Sequence, residues 1–408
     1  MHRAIKVRIY PNNEQSHHLN RMMGCARFWW NFALNLCNET YKETGKGVSQ
    51  IALNKELPKL KKAEETAWLA ECHSQVLQST TLNLTKAFKN FFEKRAKYPC
   101  FKSYKRMQSI QFPQSVKIVD GELKFPKING LVKASIHRIF EGEIKTVTVS
   151  KTPSGKYYAS LLFETNAEYP EVQIEGKTTG IDLGLWDFAV TFDGDKVTKY
   201  PNPRHIKRHE KNLARKQQKL SRKQKGSNSR NKARKLVAKV HERISNARQD
   251  YLHKLSRKIV DKSQVVVVEN LNVKGMVRNH CLAKAISDVG WGMFVNFIDY
   301  KLKEKGGLLI EIDRWFPSSK TCSNCFYQIG EMPLKIRSWT CPHCGTIHDR
   351  DGNAAMNIRA EALRMLQTGG TPVSADGGDV RPKGGRKSVL RHSPVKSEAP
   401  LSSSDRAG

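Results

Sequence analysis

Gln264-Val265-Val266-Val267-Val268-Glu269-Asn270 is the stretch whose reading decides the fold. Four valines in succession leave no polar face, so the run cannot be a strand with one side in water. It reads as a central strand covered on both faces, as a parallel sheet between helical layers requires. Upstream, Thr179 to Leu183, Phe188 to Phe192 and Lys196 to Tyr200 are three strand-like segments, and a long helical stretch joins them to the valines. Downstream, the spacing predicts a helix over Trp291 to Lys305, a strand over Leu308 to Ile312 and, past a cysteine-rich interruption, a helix over Asn353 to Arg359. Consecutive strands followed by strands alternating with helices define a three-layer α/β domain.

The N-terminal part follows other rules. Ala4-Ile5-Lys6-Val7-Arg8-Ile9-Tyr10 alternates apolar and basic residues as a half-buried strand does, and Pro11-Asn12-Asn13 breaks it. From Glu14 to about Lys94 the apolar residues take helical spacing, enough for three or four helices. Between Phe101 and Glu164 short alternating runs, among them Lys145 to Val149 and Tyr157 to Phe163, predict an antiparallel barrel or sheet that the first strand is placed to join. The chain is thus expected to be multidomain α+β: 1–10 with 99–170 as a β-barrel, 11–98 helical, and 171–366 α/β. The last part carries a basic helical insertion at 203–258 and a cysteine insertion at 316–347. Residues 367–408 lack apolar periodicity and are expected to be a disordered tail.

The 408 residues include 71 Lys and Arg against 38 Asp and Glu, a formal charge of +33, which seeks a polyanion. No apolar run approaches the roughly 18 residues of a membrane span, and no signal core follows Met1 to Lys6, so a soluble intracellular protein without a membrane partner is expected. The basic excess concentrates in Arg204 to Arg248, where Lys207, Arg208, Lys211, Arg215, Lys216, Lys219, Arg222 and Lys223 open a run opposed only by Glu210 and Glu242. A solvated helix does not need that imbalance; a helical pair tracking phosphates does. In Lys86 to Lys105, Phe88, Phe91, Phe92, Tyr98, Phe101 and Tyr104 interleave with lysines, a pattern shared by core packing and base stacking.

Four of nine cysteines form Cys322-x2-Cys325 and Cys341-x2-Cys344, separated by fifteen residues, the spacing of a four-Cys zinc ribbon in a reducing compartment. Four thiolates close a tetrahedral site, so the Zn²⁺ is structural, and the competing His343 and His348 are left for the surface or for nucleic acid.

Three carboxylates stand out. Asp182 lies in Gly180-Ile181-Asp182-Leu183-Gly184 on a predicted strand, and Glu269 ends the valine strand, where an unpaired charge is costly. Asp351, in His348-Asp349-Arg350-Asp351-Gly352-Asn353, precedes the final helix and by itself reads first as an N-cap. Two acids on strands of one sheet and a third starting an adjacent helix can converge. Such a cluster repels itself unless divalent cations share the charge, and oxygen ligands suit Mg²⁺ or Mn²⁺. Two such ions can activate water for phosphodiester hydrolysis, and for so basic a chain the substrate is nucleic acid.

At these residues the sequence resembles the TnpB family, the nucleases of bacterial insertion sequences and relatives of the type V CRISPR effectors. The resemblance spans residues 1 to about 366. It is carried by Lys6-Val7-Arg8-Ile9-Tyr10-Pro11, Arg27-Phe28-Trp29-Trp30-Asn31, Tyr98-Pro99-Cys100-Phe101-Lys102, Gly180-Ile181-Asp182-Leu183-Gly184 and Val268-Glu269-Asn270-Leu271. Ile286-Ser287-Asp288-Val289-Gly290-Trp291, Pro317-Ser318-Ser319-Lys320-Thr321-Cys322 and His348-Asp349-Arg350-Asp351-Gly352-Asn353 extend it. The resemblance implies a RuvC-like nuclease domain of RNase H fold with an inserted zinc ribbon, a β-barrel wedge domain and a helical recognition domain. It implies Asp182, Glu269 and Asp351 as catalytic acids, with Asp349 the rival for third place, and an RNA-guided DNA endonuclease acting in the bacterial cytoplasm and nucleoid. Its partners would be a guide RNA from the transposon end and double-stranded DNA cut beside a short adjacent motif. A transposase performing strand transfer and a non-cutting RNA-guided repressor are the alternatives. One departure is Phe326, directly after Cys325, where the family pattern has glycine.

Overall fold

Chain entry is fixed by alternation and capping. The computed structural model describes residues 1–104, 107–333 and 335–368. Strand β1 (His2–Tyr10) buries Ile5, Val7 and Ile9 and turns Lys6 outward. Helix α1 (Asn13–Thr44) begins at Asn12, whose side chain accepts from the Gln15 amide while the Gln15 side chain returns to the Asn12 amide. Helix α2 (Gln50–Lys62), a 3₁₀ turn (Glu64–Glu71) and α3 (Ser74–Phe92) complete the helical segment, around Trp29, Leu34, Leu53 and Leu77.

The strands that follow are β2 (Gln108–Phe112), β3 (Lys117–Val119), β4 (Glu122–Lys124), β5 (Lys133–Ser135), β6 (Glu143–Lys151) and β7 (Tyr157–Glu164). They form an antiparallel sheet of order β2-β6-β7-β1-β5, with β3 and β4 as a separate hairpin. The first strand joins as expected, but the barrel does not close: among the described residues its edges, β2 and β5, share no ladder. The three residues of β5 reach only Arg8 to Tyr10, too short to carry the sheet round to β2. The apolar sides of this sheet and of the helices share one core.

Then come β8 (Thr178–Leu183), β9 (Asp187–Phe192), β10 (Val197–Pro201), α4 (His205–Ser221), α5 (Asn228–Lys262), β11 (Val265–Glu269), α6 (Val273–Met276), α7 (Ala283–Val289), α8 (Trp291–Lys305) and β12 (Leu308–Ile312). The sheet order is β10-β9-β8-β11-β12, with β11 parallel to both neighbours and the β8-β9-β10 meander antiparallel. The valine strand is central and covered on both sides: Val266 and Val268 face Leu252, Leu255 and Phe294, while Val265 and Val267 face Ile358 and Ala362. Full burial of each valine stabilises by about 1.5–3 kcal/mol. After β12 come β13 (Ser338–Thr340), β14 (Ile347–Asp349) and α9 (Arg350–Gln367), a helix longer than its expected Asn353–Arg359 segment. The expected tail lies, from residue 369 on, outside the described residues.

Helix α9 lies on β8 at backbone distance. A Cβ on Gly180 would sit 2.3 Å from the Ala355 carbonyl oxygen and 2.7 Å from the Arg359 amide, both main-chain atoms of α9. Arg359 Nε ties the helix down by donating to the Thr178 carbonyl at 2.9 Å. Gly180→Ala is therefore expected to lower unfolding stability by about 3 kcal/mol, the upper range for overpacking, read by denaturant titration.

Candidate functional site

Asp182 and Glu269 sit near the C-terminal ends of the adjacent parallel strands β8 and β11, where Ile181 is paired with Val268. Asp351 reaches the same place from the first turn of α9. The charges register one another. Asp182 is pushed from 3.8 up to about 8, chiefly by loss of water, then by repulsion from Glu269 and Asp351; Arg350 and Arg337 offset part of this. Burial also raises Glu269, against the Ser318 hydroxyl that donates to its carboxylate. Asp351 accepts from Arg337 Nη1 at 3.1 and 3.2 Å. Asp182 thus lies within electrostatic reach of both other acids, and the three half-buried carboxylates are oxygen donors of the kind hard divalent cations take.

The helix cap falls on a different residue from the one expected. Asp349 is the N-cap of α9, accepting from the Gly352 amide at 2.9 Å and from Lys199 Nζ at 2.7 Å. Asp351, the second residue of the helix, is released from that duty and accepts from Arg337 instead.

The four cysteine Sγ atoms lie within 4.8 Å of one another, with Cys322–Cys344 and Cys325–Cys341 each at 3.6 Å. A tetrahedral zinc with Zn–S bonds of about 2.3 Å separates its sulfurs by about 3.8 Å, so the cluster can hold that ion. Hydrogen bonds from the Thr346 hydroxyl and amide push the Cys344 thiol down to about 5, toward the thiolate a metal needs. His348 does not face the surface as expected: it is buried, with Nε2 3.0 Å from Cys322 Sγ, where it supports the cluster from behind. His343 is exposed and stacks on Tyr327.

Sequence reading missed the residues joining ribbon to acids. Asn353 donates to the Thr321 carbonyl at 2.7 Å and accepts from the Ser323 amide at 2.9 Å. Asn357, one turn on, donates to the Ser318 and Thr321 carbonyls at 2.7 and 2.6 Å. With Ser318 on Glu269 and Arg337 on Asp351, the ribbon is fastened at the acid cluster. Only the i, i+4 asparagines in a helical pattern hinted at this face.

The basic stretch forms the helical pair α4 and α5. Lys207, Arg208, Lys211, Arg215, Lys219, Arg222 and Lys223 are exposed and Lys216 is half-buried. Arg215, Lys216, Lys219, Lys223 and Lys232 line a groove of about 480 Å³ between the helices. Asp288 anchors the pair: buried on α7, it accepts from the Ile206 amide at 2.8 Å and from Arg248 Nη2 at 2.8 Å. It caps α4 from outside, since Arg204 supplies no side-chain cap of its own. In the other aromatic-basic stretch packing and exposure divide by residue. Phe88 and Phe91 pack edge-on against Tyr98, whereas Phe92, Phe101 and Tyr104 are exposed.

Family models described as "Probable transposase", "Cas12f1-like, TNB domain" and "Helix-turn-helix domain" match residues 148–280, 291–358 and 1–46. A "Putative RNA-guided DNA endonuclease" of Streptomyces pristinaespiralis is 40% identical over 93% of this chain and 92% of its own. "Putative RNA-guided DNA endonuclease InsQ" of Escherichia coli K12 is 30% identical over 90% of this chain and 94% of its own. In fold, the chain is similar to the protein in a cryo-EM structure of a Cas12f1-sgRNA-target DNA complex, with a TM-score of 0.54 and 15% identity over 86% of this chain and 83% of that one. The chain belongs to the TnpB family, whose relatives here bear the name of RNA-guided DNA endonucleases. Among the described residues no helix is long and apolar enough to cross a membrane.

The raised Asp182 makes stability depend on pH. Its carboxyl holds a proton more tightly folded than unfolded, so between about pH 4 and 8 the folded chain carries the extra proton and stability falls as pH rises. A tenfold change in proton affinity is worth about 1.4 kcal/mol, and the water that still reaches a half-buried carboxyl screens much of the total. Without added divalent ions, the wild type is expected to lose about 1–2 kcal/mol more than Asp182→Asn between about pH 5 and pH 8, measured by urea unfolding.

Proposed function

We propose that this chain is an RNA-guided DNA endonuclease of RuvC type, dependent on Mg²⁺ or Mn²⁺, encoded by a transposable element and serving its maintenance. The electrostatic reach of Glu269 and Asp351 to Asp182 carries the reading, because it groups negative charge in a chain of net charge +33. Asp182, the acid that feels both of the others, would hold divalent ions together with Glu269 and Asp351. Such ions would supply the chemistry of water activation and leaving-oxygen stabilisation in hydrolysis to 5′-phosphate and 3′-hydroxyl ends. Ser318 orients the Glu269 carboxylate, Arg337 holds Asp351, and Asp349 stays in its cap.

The remaining surfaces divide the substrate. The hairpin cations Lys207, Arg208, Lys211, Arg215, Lys216, Lys219, Arg222 and Lys223 would follow the phosphates of a guide RNA from the transposon end, and base pairing would read most of a double-stranded DNA target. Residues 11–98 would act as recognition domain and 1–10 with 99–170 as wedge, reading a short motif beside the target. The α/β part, 171–366, would cut, and a structural zinc would staple its ribbon at 316–347. The enzyme would work in the bacterial cytoplasm, on the nucleoid.

The test is to purify the protein expressed with its native flanking DNA, sequence the bound RNA, and use it to direct cleavage. One dominant RNA reaching beyond the element supports the reading; a random cellular mixture refutes guiding. Asp182→Ala, Glu269→Gln and Asp351→Ala, each folded and zinc-loaded, are expected to cleave about 1000-fold more slowly, roughly 4 kcal/mol of lost barrier reduction. Wild-type rates in these variants would refute the acids' role. Joined rather than cut transposon ends would identify strand transfer instead.

A further inference from the structure

The two zinc knuckles repeat the same backbone. Cys322 and Cys341 each donate their amide to a carbonyl five residues on, Tyr327 and Thr346, at 2.9 Å. Each accepts at 2.9 Å from the residue following the second cysteine, Phe326 in one knuckle and Gly345 in the other. Both of those residues are left-handed, φ 61° and 71°. Glycine adopts this conformation freely; a bulky side chain is strained there. One chain therefore builds the same turn twice, once with the residue the turn prefers and once with one it opposes.

The Phe326 ring is not explained by packing, since 70% of the residue is exposed. Next to it Tyr327, 44% exposed, stacks nearly parallel on His343 of the second knuckle, with centroids 5.8 Å apart and planes 6° apart. Strain that folding does not need, at an exposed ring, marks a place where function has set the residue. We infer that Phe326, beside the Tyr327–His343 stack, is a platform on which an unpaired base of single-stranded DNA stacks. Three observations favour that occupant over a protein surface. The chain carries +33 charge; a flat ring next to a stacked pair suits bases of any sequence. The ribbon is also clamped by Asn353, Asn357 and Ser318 at the acid cluster, so a strand lying there runs along it. The identity of that strand rests on the nuclease reading above.

Because of the strain, stability and binding should move in opposite directions when the ring is removed. In the full-length protein, Phe326→Gly is expected to retain zinc against a chelator at least as long as the wild type. The same variant is expected to bind an unstructured DNA oligonucleotide about ten-fold more weakly, while its affinity for an abasic oligomer of equal length and charge stays unchanged. Phe326→Leu should behave like the glycine variant in binding, and Phe326→Trp should restore the preference for bases. Faster zinc loss in Phe326→Gly would show that the ring supports the knuckle, and wild-type binding would show that no base stacks on it. Either result overturns the inference, as would equal rescue by leucine and tryptophan, the signature of an apolar protein contact. No cleavage is read, so failure of the acids to catalyse would leave this result standing.

Discussion

The site depends on the contact of α9 with β8, backbone against backbone, at Gly180. Every face of that helix is then assigned by its period. Ile358 and Ala362 cover the far side of the valine strand, and Arg359 closes the approach on the Thr178 carbonyl. Asn353 and Asn357, one turn apart, hold the ribbon. Asp351, in the helix's first turn, lies within electrostatic reach of Asp182. Shifting the helix outward by the width of a methyl group would disturb sheet cover, ribbon and acid cluster together, because a packed interior passes displacement on without absorbing it.

The cluster is stabilised by the fold and not by itself. Asp182 loses water and gains two repulsive neighbours, and the guanidiniums of Arg337 and Arg350 compensate only in part. Such local frustration persists only where the surroundings over-determine it, here the rigid β8–β11 pair and the capped start of α9. The cap matters electrostatically as well. With Asp349 accepting the Gly352 amide, the orphan donors at the helix start are partly satisfied, and the oxygens of Asp351 are left to Arg337.

Much of this was legible in the sequence because its causes are local. Four valines announce a strand buried on both sides, Cys-x2-Cys pairs announce a metal ribbon, and a long basic helical stretch announces the hairpin. What was not legible depends on partners far along the chain. Asp349 and Asp351 are equally good caps on paper, and only the actual start of the helix separates them. Closure of the N-terminal sheet is decided by whether β2 and β5 meet, and no residue within either strand encodes that. His348 reads as a surface residue until the second knuckle folds it against Cys322, and Ser318 and Arg337 gain meaning only beside Glu269 and Asp351.

The hairpin shows how a charge run becomes an oriented surface. Two of its four carboxylates are spent on docking: Glu210 pairs with Lys284 of α7, and Glu242 takes Lys156 and Tyr158 at 3.1 and 3.2 Å, while Asp250 and Asp261 pair along α5 with Lys254 and Arg257. Asp288 supplies the third anchor, a buried acid contributed by the body of the protein to the start of α4 and to Arg248 of α5. Among the described residues Lys207, Arg208, Lys211, Arg215, Lys219 and Lys223 form no ion pair. The cationic run of α4 is aimed by these anchors and not by its own sequence. Removing an anchor would leave the cationic run unchanged and alter only its direction, which separates attraction of a polyanion from its placement at the acids.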